Sequence, residues 1–138
     1  MRLTSEVVPT KDHVQMTFTV ANGSSEKLTG LRVQMCVMLK GLIGFEQTTN
    51  ANKVFDSPFA ACRDASGNRW IITAWRPCVR AWGNPPCPCL HSDPQVPDCP
   101  PDESRSVRGV IAFYQGADIH TELRRLRQSI LDGAKQTR

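Results

Sequence analysis

Cys78, Cys87, Cys89, His91 and Cys99 follow one another at the spacing C-x8-C-x-C-x-H-x7-C. Thiolate sulfur and imidazole nitrogen are ligands that zinc, a borderline-soft ion, takes in tetrahedral sites, and either four thiolates or three with His91 would complete one. The prolines around them would pre-order the ligands and reduce the entropy lost on binding. The paired C-x(2–4)-C knuckles of common zinc sites are missing, however, and Cys87-Pro-Cys89 is too short to serve as one. Six cysteines, an even number, equally allow disulfides that staple an irregular segment. Cys87 and Cys89 would not bridge each other, because so small a ring is strained, so each would need Cys78, Cys99, Cys62 or Cys36. Reduced thiols packed as small hydrophobes are the third reading, and Cys36, on a predicted strand, is assigned to it. Metal, disulfide and packed thiol all stay open for Cys78, Cys87, Cys89 and Cys99.

The same segment offers polar chemistry. His91-Ser92-Asp93-Pro94 sets an imidazole, a hydroxyl and a carboxylate in succession, and His91 could act as a general base oriented by Asp93 or Asp98. Adjacent residues rarely converge on one substrate atom, so a side-chain-capped turn before Pro94 is favoured instead. A Cys87 or Cys89 nucleophile paired with His91 is disfavoured, because such pairs normally come from distant parts of a chain. Trp75, Arg76, Arg80 and Trp82, with His91 and Asp93, form the candidate ligand-binding set. Indole faces stack on sugars or cations, and guanidinium groups bind carboxylates and hydroxyls. The competing reading makes both tryptophans anchors of the segment to the core. No catalytic residue is assigned: the sequence holds no glycine-rich phosphate loop, H-E-x-x-H, EF-hand pattern or nucleophile elbow.

These residues need a frame. A chain of 138 residues makes a single domain, 1–138, that buries about two-thirds of its unfolded surface. With 40% hydrophobic and 22% charged residues it belongs with folded globular chains rather than disordered ones. No apolar run approaches the ~20 residues of a membrane helix, so no membrane partner is expected. The N-terminus MRLTSEVVPT lacks the pattern of a signal peptide, so a cytoplasmic location is expected for the chain as written, and a secreted one if it is a fragment. The net charge of +4 is uneven: Arg124, Arg125, Arg127, Lys135 and Arg138 face only Asp132 near the C-terminus. This is read as a solvated helix face with cations where the helix dipole favours them. Nucleic acid is disfavoured, since no aromatics interleave with the charges.

Strands dominate the pattern. Val14, Met16, Phe18 and Val20 alternate with polar residues, the period of a half-buried strand. Leu31, Val33, Met35, Val37 and Leu39 alternate again, opposite Arg32, Gln34, Cys36, Met38 and Lys40; the far end, apolar on both faces, is expected to be covered on both sides. The two are expected to pair through the loop Gly23 to Lys27. Gly41 to Asn52 reads as loop. Phe59 to Arg63 and Arg69 to Trp75 flank the turn residues Asp64 to Asn68, a hairpin signal. Arg76 to Pro101 holds eight of the ten prolines and, because proline lacks the donor and fixes φ, is expected to form an irregular loop (76–106) that cannot pair centrally in a sheet. Val107 to Tyr114 is the last strand. A helix of about 118–132 closes the chain, with Asp118 at its N-terminus, Ile119, Leu123, Leu126 and Ile130 as its apolar stripe, and Gly133 near its C-cap. The expected fold is all-β, a mainly antiparallel sandwich over strands of about 3–75 and 107–114, with one C-terminal α-helix. The strands are few for a closed sandwich, so either the partner sheet is short or a second copy completes it.

The stretches NGSSEKLTGLRVQMCVMLKG, GNRWIITAW, WGNPPCPCLHSDPQVPDCPP and FYQGADI resemble uncharacterised all-β bacterial proteins of environmental and planctomycete-type genomes, which carry a W-G-N-P-x-C-P-C-x-H-S-D-P run. The resemblance covers roughly Val14 to Leu126 and implies the fold but no established activity. Those relatives are longer at the N-terminus, which implies a shortened, stand-alone version or a mobile-cassette product. Three functions are expected from the sequence: a β-sandwich binding or assembly module for a carbohydrate or other small polar ligand; a zinc protein, structural or hydrolytic; and a homo-oligomeric structural subunit.

Overall fold

A computed structural model describes residues 1–132. It is all-β with one C-terminal helix. The strands are β1 (Arg2–Pro9), β2 (His13–Ala21), β3 (Cys36–Met38), β4 (Lys53–Asp56), β5 (Phe59–Arg63), β6 (Arg69–Arg76), β7 (Cys78–Trp82), β8 (Cys89–Pro94) and β9 (Ser104–Gln115). They form a six-stranded sheet in the order β1-β2-β9-β6-β5-β4 and a three-stranded sheet in the order β3-β8-β7, antiparallel throughout. The partner sheet is therefore the short one.

Strand alternation sends Trp70, Ile72 and Ala74 of β6 to one face of the large sheet and Ile71, Thr73 and Trp75 to the other. All six are buried, because both faces are covered. On the first, Phe59, Ala61, Val110 and Ala112 join them against Ile119, Leu123 and Leu126 of helix α1 (Ile119–Leu126). On the second, Ile71, Ala60 and Cys62 meet Leu39, Phe45 and Leu90, while Trp75, Val20 and Val107 meet Val96. Gly109 on β9 makes this second layer feasible: a Cβ there would fall 2.3 Å from Trp75 Cδ2, so the indole lies directly on bare backbone.

Helix α1 opens where expected. The Asp118 carboxylate accepts from the Thr121 amide at 3.0 Å, and the helix runs on into a π-helical segment, Arg127–Asp132. Gly133, Lys135 and Arg138 lie outside the described residues, as does the side chain of Ile130, the last member of the expected apolar stripe.

The predicted hairpin is present as β5–β6, with Asp64 organising its turn. One Asp64 oxygen accepts from the Asn68 and Arg69 amides at 3.1 and 3.0 Å, the other from Ser66 Oγ and Arg69 Nε at 2.7 and 2.8 Å. Burial opposes ionisation of this carboxyl, but the Ser66 and Arg69 hydrogen bonds, with that of Asn68, outweigh it and hold the pKa well below the usual range. A depressed folded pKa contributes stability above the unfolded value of about 3.9 that is lost as the pH falls toward the folded one. Asp64→Asn is therefore expected to lower the Tm at pH 7, with the gap to wild type narrowing below about pH 4; thermal melts across pH 2–7 check this. A gap that stays constant with pH would show that the charge of Asp64 is not what matters.

Two expectations are corrected. The segment from Leu31 to Leu39 does not pair with β2, whose neighbours are β1 and β9. It crosses to the second layer, where only Cys36–Met38 is a strand, paired with β8. Its alternation is nevertheless real: Leu31, Val33 and Met35 pack on the Trp75 cluster, and Leu39 and Val37 on the Leu90 cluster. The proline-rich segment is not an irregular loop. It supplies β7 and β8, and β8 is the central strand of the small sheet. Its prolines spare the ladder: Pro85, Pro86 and Pro88 precede β8, and Pro94 ends it, giving only its carbonyl to Val33 N (3.2 Å). The stretch beyond is held by paired bonds between Leu28 and Cys99, each 2.9 Å. Strand β1 falls within the expected strand span of about 3–75, but ahead of the first strand that alternation reveals. All eight of its residues are exposed, so RLTSEVVP has no buried face to betray it.

Candidate metal centre

Strand β8 carries the site because of its period of two. Leu90 packs into the core against the large sheet, and Ser92 Oγ accepts from Trp75 N at 2.8 Å and donates to the Pro58 carbonyl at 2.7 Å. Cys89, His91 and Asp93 therefore share the opposite face. Cross-strand register adds their neighbours: Cys36 and Trp82 flank His91, Met38 is opposite Cys89, and Arg80 is opposite Asp93. Residues directly opposite on neighbouring strands share a face. The β7–β8 connection brings Cys87 in as well, with its Sγ 3.8 Å from Met38 Sδ. That connection docks closely on β4, where a Cβ at Gly83 would meet Phe55 Cζ at 3.0 Å and Lys53 Cδ at 3.1 Å.

Ligand atoms of Cys36, Cys89 and His91 all lie within 4.8 Å of one another, and this cluster could hold a metal ion. His91 Nε2 is 3.4 Å from Cys89 Sγ. Zinc–sulfur bonds of about 2.3 Å and zinc–nitrogen bonds of about 2.0 Å at a tetrahedral angle would set ligand atoms roughly 3.5–3.8 Å apart, so contraction to a bound geometry is small. Burial, with the neighbouring Cys89 thiol next in importance, raises the pKa of Cys36. The same two causes raise that of Cys87, against the opposing pull of Lys40 and Lys53. Burial lowers the pKa of His91, with Asp93 acting against it, which favours the neutral form that a metal-ligating imidazole takes.

Around the cluster sits a fixed polar shell. His91 Nδ1 has no hydrogen-bond partner within the described residues, but faces Asp93 Oδ1 at 3.8 Å. The Asp93 carboxylate is immobilised: Oδ2 accepts from Arg80 Nε and Trp82 Nε1, both at 2.8 Å, and Oδ1 accepts from Met35 N at 3.1 Å. Trp82 stacks on His91 with ring centroids 4.2 Å apart, and the Arg80 guanidinium lies 4.4 Å from the Trp82 ring.

The structure thus gathers Arg80, Trp82, His91 and Asp93 from the expected ligand-binding set and Cys87, Cys89 and His91 from the expected metal set. The others lie elsewhere. Trp75 is 5% exposed, in the core. Arg76 is exposed at the end of β6, in a groove of about 560 Å³ with Arg108 and Glu6. Cys78 Sγ lies 3.6 Å from Ser92 Oγ, on the side of β8 that bears no cluster. Cys99 is buried, with Sγ 3.2 Å from the Glu103 carbonyl. His91, Ser92 and Asp93 form strand rather than turn, and Ser92 points away from the other two. All six cysteines are free thiols.

Cys36 and Met38 are the residues that sequence reasoning missed. Cys36 is exposed, not a core residue. The signal was available: in the alternation of Leu31 to Leu39 it falls with Arg32, Gln34 and Lys40, on the side that faces away from the core. No family model, curated protein or solved structure matches this chain.

Proposed function

We propose that this chain is a metal-binding β-sandwich module in which Cys36, Cys87, Cys89 and His91 hold one zinc ion. The observation that supports it best is the convergence of three ligand atoms within 4.8 Å with the second histidine nitrogen turned toward a carboxylate that three donors hold still. A carboxylate that accepts from the second ring nitrogen fixes the tautomer and ring orientation of a metal-bound histidine, and closing the 3.8 Å gap to His91 Nδ1 would make Asp93 that acceptor. Four protein ligands fill a tetrahedral shell, which is the structural type of site. Its task here is to clip β3, a strand of three residues, and the β7–β8 connection onto β8. A carbohydrate or similar polar ligand finds less support, because Arg80, Trp82 and Asp93 are engaged with one another and Trp75 is buried.

Native mass spectrometry of protein refolded with Zn²⁺ is expected to show one ion per chain, lost on denaturation. At a thousandfold excess over Kd, bound metal contributes about 4 kcal/mol, and each kcal/mol moves the Tm of a domain this size by roughly 3 °C. A rise of about 10 °C is therefore expected. A chain that stays metal-free, with a Tm indifferent to both Zn²⁺ and chelator, would end the proposal. Tighter retention of copper(I), another ion suited to soft ligands, would keep the site and change the ion.

A further inference from the structure

Strand β1 is one edge of the six-stranded sheet. It pairs with β2 along its whole length, Arg2 opposite Ala21 through Pro9 opposite Val14, without a bulge. Its outer edge carries no strand among the described residues. Proteins normally protect such an edge by shortening it, bulging it, covering it, or placing charges or proline along it; of these devices β1 has only Arg2, Glu6 and, at its last residue, Pro9. Here it is eight residues long, and Leu3, Val7 and Val8 are 52%, 61% and 42% exposed.

Its two charges are placed symmetrically. Arg2 and Glu6 lie two residues either side of Thr4, on the same face by the period of two. Neither makes an ion pair among the described residues. An antiparallel copy of the strand centred on Thr4 sets Arg2 opposite the partner's Glu6 and Glu6 opposite the partner's Arg2. Thr4 meets the partner's Thr4, and Leu3 the partner's Ser5. On the other face, Val7 comes opposite the partner's Met1, and both are exposed in the single chain. Opposite charges and β-branched or apolar side chains directly across a ladder are the pairs that stabilise it. A two-fold axis at Thr4 makes each favourable pair occur twice, as a closed, self-complementary interface requires.

We infer that the chain forms a homodimer by antiparallel β1–β1 pairing centred on Thr4, which joins two six-stranded sheets into one. The occupant of the edge is a second copy rather than an unrelated peptide because the strand's own charge pattern is its complement.

The test is sedimentation equilibrium of the full chain over a hundredfold concentration range, with charge swaps. Wild type is expected to dimerise. E6R alone or R2E alone sets like charges opposite each other twice and is expected to weaken the dimer at least about tenfold. The double swap R2E/E6R restores opposite charges and is expected to recover affinity to within about threefold of wild type. Because both residues are exposed, all variants should keep the wild-type Tm at low concentration. A wild-type chain that is monomeric throughout, or a double swap as weak as the singles, would overturn the inference. So would a dimer unmoved by any of the three variants, whose interface must then lie elsewhere.

Discussion

Cys89→Ser is expected to reduce Zn²⁺ affinity by about 100- to 1000-fold. Structural zinc sites release roughly 10–16 kcal/mol on binding, so one of four ligands accounts for about 3–4 kcal/mol, and every 1.4 kcal/mol is tenfold. Cys89 is the pivotal choice because its sulfur lies 3.4 Å from His91 Nε2 and its thiol is the side chain beside both Cys36 and Cys87. Cys36→Ser and Cys87→Ser should fall in the same range. Cys78→Ser and Cys99→Ser should leave stoichiometry and affinity unchanged, since both lie off the cluster. Asp93→Asn touches no metal but removes the charge facing His91 Nδ1, and outer partners of this kind are worth about 10–100-fold in affinity. Competition against a chelator of known affinity, with cobalt(II) absorption to report thiolate ligation, gives all these numbers. If Cys78 and Cys99 prove to be the cysteines that matter, the assignment to β3 and β8 is wrong.

Gly109→Ala is expected to cost about 3–5 kcal/mol, a large part of the 5–15 kcal/mol that holds a typical domain together. The added Cβ would meet three atoms of the Trp75 indole at 2.3, 2.4 and 2.8 Å, so the ring must leave the place where it packs with Val20, Val96 and Val107. Overpacking alone costs about 1–3 kcal/mol, and displacing a buried tryptophan approaches the cost of truncating it, about 3–5 kcal/mol. Urea denaturation measures the loss. The double variant with Trp75→Ala should cost clearly less than the sum of the two single changes, because each removes the same packing. A single variant that loses under 1 kcal/mol would mean that the indole has room to slide.

Where one segment carried its own signal, the sequence was readable. The β5–β6 hairpin shows its turn chemistry in Asp64 to Asn68, and α1 its cap and apolar stripe. Strand alternation also identified the inward side chains of Leu31 to Leu39, but the far end is covered on one face only, leaving Cys36 and Met38 exposed. What alternation cannot supply is the partner, because an apolar face fits any sheet. Hence the expected pairing with β2 failed, and with it the reason to place Cys36 beside His91. The candidate cluster is assembled by register between β3 and β8, from residues more than fifty positions apart in the chain, so the neighbouring cysteines alone do not point to Cys36. Proline misled by number: eight in one segment argue against a strand, yet those near β8 lie before it or at its last residue. Strand β1 fell inside the expected span of about 3–75, but its limits could not be read, because it has no buried face to pattern.

The position of β9 governs how this domain can be made. Strand β9 lies between β2 and β6, so the β1–β2 hairpin and the β4–β5–β6 meander are not neighbours in the sheet until it arrives. As the chain leaves the ribosome N-terminus first, these two pieces wait as separate hairpin units with the inner edges of β2 and β6 unpaired. Closure comes when residues 104–115 insert between them, a long-range step of the kind that makes β-rich proteins slow to fold. Nascent chains halted before that point therefore expose two sticky sheet edges at once, and their protection falls to the chaperones that meet them.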